Sequence, residues 1–295
     1  MFLLVTMHVY SGVPDPSWAL SEEQSSEFLD RVQFLSEETS VKALRAFPRL
    51  GYRGFSVSSS PDAAFGDIRI EVNDGIVDLG HGVASLFDKE RSLEKWLLDT
   101  GGDLIVPATR DAVEGALRTP AEEAISSHEA LLYRAPSRSC SPNALDAPAY
   151  RPRLWYDRNT RLYNNCYNYA NNKITGVSPT TAAQPGKAHG ALINGKTCPD
   201  LIAAVQADGL VLKPDFASPL GANQGWYVAL VINPGVDYHF YRQDADGCWS
   251  HKIGRAPVTG GDHLGNVITD PRTCRRGDYT QFCGFAVTNR SVVIA

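Results

Sequence analysis

Nine residues, Asn164-Asn165-Cys166-Tyr167-Asn168-Tyr169-Ala170-Asn171-Asn172, set one thiol among amides and aromatics. The spacing predicts a helix starting at Cys166. A cysteine on a first turn feels the positive end of the helix dipole, which favours thiolate over thiol. A thiolate nucleophile needs a base and an orienter for that base. His239, in Tyr238-His239-Phe240-Tyr241-Arg242, offers an imidazole on a strand, and Asp270, before Pro271, offers an acid. Asp262 and Asn266 are rival orienters. His251 lies two strand positions from Trp249, so the two share a face; it is the alternative base. The chemistry these types allow is attack of Cys166 on an amide carbonyl. The Cys166 amide with Asn164 or Asn165, or Gln184, would supply an oxyanion hole. Trp249 and His251 would line a substrate groove. Each residue also has a plain reading: a cysteine that packs, a core histidine, a turn aspartate.

Several elements must position these groups. Residues 2–10 are apolar and β-prone. Ser21 caps a helix over about 22–35, with acids in its first turn. Strands are predicted at 51–57, 67–72 and 76–79, the last two joined by Asn73-Asp74-Gly75. Helices follow at 92–100 and 109–117. Mixed strands and helices without βαβ rhythm give an α+β class. The front half shows no phosphate loop, metal cluster or nucleophile–base pair. Its Tyr10-Ser11-Gly12-Val13-Pro14-Asp15-Pro16-Ser17-Trp18 stretch resembles the start of certain bacterial proteins of unknown function, a likeness that implies no activity. Residues 136–150, rich in Pro and Ser, read as a linker between a domain over 1–135 and another over 151–295. The second half predicts a short strand at 154–156, a loop over 175–195 and a helix at 199–208. Strands follow at 226–232, 237–242, 249–253 and 284–292.

Cys on a helix, a second helix, then antiparallel strands bearing His and an acid: this order resembles the papain-like cysteine hydrolase superfamily, in particular the C39 peptidases and the NlpC/P60 hydrolases. The phrases that carry it are Asn165-Cys166-Tyr167, the run Val228–Ile232 leading to His239-Phe240-Tyr241, and Ile268-Thr269-Asp270-Pro271. Two departures stand out. A long insertion separates His239 from Asp270, and the usual glutamine just before the cysteine is missing. The resemblance implies a papain-like catalytic domain over 151–295, with a Cys166–His239–Asp270 triad, behind an α+β domain of binding or regulatory role.

Hydrophobic residues make up 43% of the 295, and charged ones 21%, so the chain folds rather than remaining disordered. The net charge of −5 and the lack of a long basic run speak against nucleic acid. No apolar run is long enough to span a membrane. The first ten residues read as a strand rather than a leader. Six cysteines without CxxC spacing point to free thiols in a reducing, cytoplasmic setting, with secretion by a non-standard route left open. The expected function is a peptidase or amidase acting on a peptide or protein substrate, with no cofactor and no metal. The alternatives are acyl transfer or deamidation by the same triad, or a non-catalytic binding module with structural cysteines. Alkylation near pH 6 separates the classes: a hydrolase requires a fast-reacting Cys166, a binding module slow thiols throughout.

Overall fold

The computed structural model describes residues 2–37, 49–59, 69–80, 85–125, 137–176 and 182–295. The chain is α+β and forms two compact units. The first comprises Met1–Val9, Asp15–Phe47 and Gly51–Tyr133; the second comprises Tyr10–Pro14, Pro48–Leu50 and Arg134–Ala295. A single cut near residue 135 therefore misses two short segments that belong with the second unit.

The first unit is an antiparallel sheet with helices. Its strands are β1 (Leu3–Met7), β2 (Ser17–Ala19), β3 (Ser36–Glu37), β4 (Phe55–Ser59), β5 (Arg69–Asn73), β6 (Ile76–Asp78) and β7 (Leu86–Phe87), in the order β2-β1-β4-β5-β6-β7-β3. On β1, Leu3, Val5 and Met7 are buried while Leu4 is exposed, the period-2 alternation of a one-sided sheet. The β5–β6 hairpin forms as predicted, because Asp74 (φ 51°) and Gly75 (φ 77°) both occupy the left-handed region that a two-residue turn requires. Helix α1 (Glu22–Gln33) opens with a capping box, Ser21 and Gln24 satisfying each other's backbone N–H. Helices α2 (Ser92–Thr100) and α3 (Pro107–Leu117) follow.

The second unit carries the sheet β12-β11-β10-β9-β13-β8, antiparallel throughout. These strands are β8 (Val211–Lys213), β9 (Trp226–Asn233), β10 (Asp237–Gln243), β11 (Trp249–Lys252), β12 (Val258–Thr259) and β13 (Gln281–Thr288). From Tyr227 to Ile232, β9 is wholly inaccessible, as expected of a central strand covered on both faces. Helices α4 (Arg158–Tyr163), α5 (Cys166–Ala170) and α6 (Cys198–Ala207) complete it, α5 against β10 and β11, α6 against β13 and β9. The strand expected at 154–156 is instead a 3₁₀ turn, Pro152–Trp155, since Pro152 donates no ladder hydrogen bond.

Two expectations fail here. Residues 137–150 are no free linker: Cys140 is bonded to Cys248, Arg138 pairs with Asp244 and Asp246, and Leu145 N–H donates to Leu220 O. Nor are the thiols all free, because Cys198 is bonded to Cys283, leaving Cys166 and Cys274. Disulfides closing 108 and 85 residues of chain belong to an oxidising compartment, which corrects the reducing, cytoplasmic assignment. In denaturant without reductant, iodoacetamide will label two of the six cysteines, identified by peptide mass mapping as Cys166 and Cys274. Replacing Cys198 and Cys283 together by alanine will lower unfolding stability by about 2–5 kcal/mol in urea titrations.

Candidate functional site

Asn165 fixes the start of α5. Its side-chain oxygen accepts from the N–H groups of Tyr167 and Asn168, and Asn168 returns the bond to Asn165 N–H. The Asn165 Nδ2 donates to Gly12 O (2.9 Å) and Ala183 O (2.8 Å). That asparagine is therefore a cap and a tie, with no donor left for a substrate oxyanion. Asn164 is occupied as well: its Oδ1 accepts from Thr175 and Gly176 N–H, and its Nδ2 donates to Thr160 O. Gln184 donates to Gly12 O and accepts from Tyr238 OH (2.7 Å).

Cys166 begins α5 as the sequence predicts, but it is wholly inaccessible. Its sulfur is in hydrogen-bond contact with the Ser11 hydroxyl and the Phe240 backbone N–H. Burial, and then the Asp237 carboxylate, push its thiol up to about 12. The short five-residue α5 gives too little dipole to offset that desolvation.

Ser11 stands next in line. Its Oγ lies 2.5 Å from His239 Nδ1, and His239 Nε2 lies 2.7 Å from His251 Nδ1. His251 Nε2 lies 2.9 Å from Gly261 O. A carbonyl only accepts, so His251 carries its proton on Nε2 and accepts at Nδ1. His239 must then donate from Nε2 and accept at Nδ1, from the Ser11 hydroxyl. The tautomers of both rings follow from that one carbonyl. Burial drives His251 down to about 4, against the Gly261 bond and the nearby Asp262 charge.

Two further charges flank this row. Asp237 is buried and accepts from the N–H groups of Ser11 (2.6 Å), Gly12 (3.2 Å) and Val13 (2.9 Å), and from Tyr279 OH. Burial raises its carboxyl above the ordinary aspartate range, and the Tyr279 and backbone bonds work against that rise. The Lys252 ammonium is also fully buried and donates to the carbonyls of Arg161 (2.7 Å), Asn164 (2.6 Å) and Gly254. Gly12 has no room for a side chain: a Cβ there would lie 2.3 Å from the Tyr238 ring.

The structure thus brings together Cys166, His239 and His251 and leaves Asp270 out. Both carboxylate oxygens of Asp270 accept from Arg272 (2.7–3.0 Å), in a turn that they cap. Asp262 is spent on the N–H groups of Leu264, Asn266 and Arg275, and Asn266 turns back to Asp262. Trp249 is buried against Phe216 and Phe285 rather than lining a groove. A cavity of about 380 Å³ opens beside His263, Cys274, Arg275 and Tyr279, and none of the expected catalytic residues lines it. The residues that sequence reasoning missed are Ser11, Asp237 and Lys252. Ser11 meets His239 across 228 positions, a juxtaposition that no local pattern carries. Its only signal was the Tyr10–Trp18 stretch, whose Ser-Gly pair now has a packing reason.

The second unit is thus a disulfide-stapled fold around a polar row that solvent does not reach. Over 138 residues the chain is 40% identical to insoluble matrix shell protein 1 of Ruditapes philippinarum, a match covering 46% of this chain and 86% of that protein. The chain belongs to that protein's family. No family model matches it, and no solved structure does. The family and the two disulfides overturn the expected cytoplasmic peptidase or amidase, and the closed Cys166 site gives the physical reason.

Two outcomes follow. Native Cys166 will resist iodoacetamide at pH 6 and at pH 8, reacting only at the rate of global unfolding. Stability will also fall as pH drops from about 6.5 to about 4. In that window the unfolded chain binds a proton on His251 that the folded chain refuses, so the loss grows toward acid, reaching on the order of 3 kcal/mol. Urea titrations at pH 7, 6, 5 and 4 measure it. Ordinary carboxylates titrate below most of this range, so a flat profile between pH 6.5 and 5 would remove the histidine contribution.

Proposed function

We propose that this chain is a structural module of an extracellular matrix, in which the cysteines serve architecture rather than chemistry. The observation that carries this reading is the 40% identity along 86% of a protein named for an insoluble shell matrix. The two disulfides support secretion, since such bonds persist outside the reducing cytosol. The closed Cys166 row supports a structural role, because a nucleophile that substrate cannot reach contributes only to packing and hydrogen bonding. Association with other matrix proteins is the partner relation that this reading implies.

The test is association with matrix. Chain secreted from a eukaryotic host is mixed with washed insoluble extracellular matrix from the source organism and sedimented, beside a folded protein of similar size and charge. The chain will co-sediment above that control, and Cys166→Ala will co-sediment equally. Reduction of both disulfides will weaken the association. Recovery in the supernatant at the control level, or intracellular retention with reduced cysteines in the source tissue, would overturn the reading.

A further inference from the structure

A second serine–histidine pair lies in the first unit, and it has the acid that the first lacks. His8 follows β1, and its backbone is pinned to β4's approach: His8 N–H donates to Gly54 O and Arg53 N–H donates to His8 O, both 2.8 Å. Its Nδ1 lies 3.1 Å from Asp15 Oδ2, and its Nε2 lies 2.9 Å from Ser56 Oγ on β4. A carboxylate only accepts, so the ring proton sits on Nδ1 and the Nε2 lone pair receives the Ser56 hydroxyl. Asp15 is itself held, between Pro14 and Pro16, by Val9 N–H (3.0 Å) and by the Arg53 guanidinium at 3.9 Å. Its side chain is 5% exposed and that of His8 is 14% exposed, so the orienter is covered while the base reaches the surface.

We propose that Ser56, His8 and Asp15 form a nucleophile, base and orienter able to accept an acyl group from a carboxylic ester. Ser56 Oγ attacks the ester carbonyl as its proton passes to His8 Nε2. The bond to the leaving oxygen breaks, and that oxygen takes the proton from His8. An ester forms on Ser56 and one alcohol is released. Water, deprotonated by the same ring, then returns the serine and frees the acid. Asp15 keeps the ring in the working tautomer and stabilises the imidazolium. Ser56 pairs with Glu71 and Ser58 with Arg69 across β4 and β5, so all four share one sheet face. The Glu71 carboxylate stands 3.9 Å from His8 Nε2, which selects against anionic acyl donors. Arg69 and Ser58 are the donors on that face able to meet charge developing on the carbonyl oxygen. The substrate class is therefore a neutral or cationic ester.

The full-length chain is treated with a fluorophosphonate and, separately, with p-nitrophenyl acetate, and the adducts are located by peptide mass mapping. One adduct on Ser56 is expected, forming faster than in urea-unfolded chain. His8→Ala will slow it at least about 100-fold, the ordinary share of a general base. Ser26→Ala, at an exposed position of α1, will leave it unchanged. Asp15→Asn will slow it, because the amide leaves the imidazolium without the carboxylate behind it, and Asp15→Glu will recover part of the rate. No slowing in Asp15→Asn, or equal slowing in both variants, would overturn its assigned role. No adduct on Ser56, labelling no faster than in urea, or equal labelling in folded His8→Ala would overturn the proposal. The first two outcomes need only the wild-type chain, so a variant that fails to fold does not protect it.

Discussion

The second unit depends on one buried carboxylate. Asp237 opens β10 with no water to solvate it, and its charge is met by three successive backbone N–H groups, those of Ser11, Gly12 and Val13, and by Tyr279 OH. Each such charge-assisted bond is worth roughly twice a neutral one. Removing the carboxylate would leave three buried N–H groups unpaired, at about 1–3 kcal/mol each. The interaction also has a geometric effect. It holds residues 10–14 in the second unit although β1 and β2, on either side in the chain, belong to the first. Ser11 is placed by it, and Ser11 places the rings of His239 and His251.

A polar row in a core is expensive unless every member is satisfied. Here the satisfaction is directional. Gly261 O forces the tautomer of His251, His251 forces that of His239, and His239 takes the Ser11 proton. Lys252 has three N–H donors and three carbonyls to receive them. Apolar residues of similar volume would give up none of the burial, so the row contributes specificity of packing more than stability. It fixes β10, β11, α5 and the 10–14 segment in one register, because any slip leaves a buried donor without its acceptor.

What the sequence made legible follows the range of each interaction. The Asp74-Gly75 turn, the Ser21 capping box and the Asn165 cap of α5 are decided within four residues, and their signals are local. The alternation on β5 and the unbroken apolar run of β9 are equally local. Cys166 and His239 were found because cysteine and histidine are rare and chemically conspicuous. Their setting was not, because burial is a property of everything packed around them. The assignment of Asp270 rested on order along the chain, and its carboxylate is satisfied two residues away by Arg272, a pairing that the order did not weigh. The disulfides were hidden for a like reason. Cys140 and Cys198 find partners 108 and 85 residues on, and six cysteines allow fifteen full pairings.

The two serine–histidine pairs show why residue types alone could not assign chemistry. Both place a hydroxyl against an imidazole nitrogen, at 2.5 Å for Ser11 and 2.9 Å for Ser56. They differ in what stands behind the ring. Behind His239 is another imidazole, so a proton taken from Ser11 would create a cation backed only by a neutral acceptor, and burial has already driven that acceptor's own affinity for protons down to about 4. The hydrogen bond there is a strut. Behind His8 is a carboxylate, which lowers the cost of the imidazolium at the moment it forms. Its Nε2 side also faces a partly solvated sheet surface rather than a core. Reactivity is therefore set by the second neighbour of the serine and by access to the first. Neither can be read from the spacing of residues along the chain.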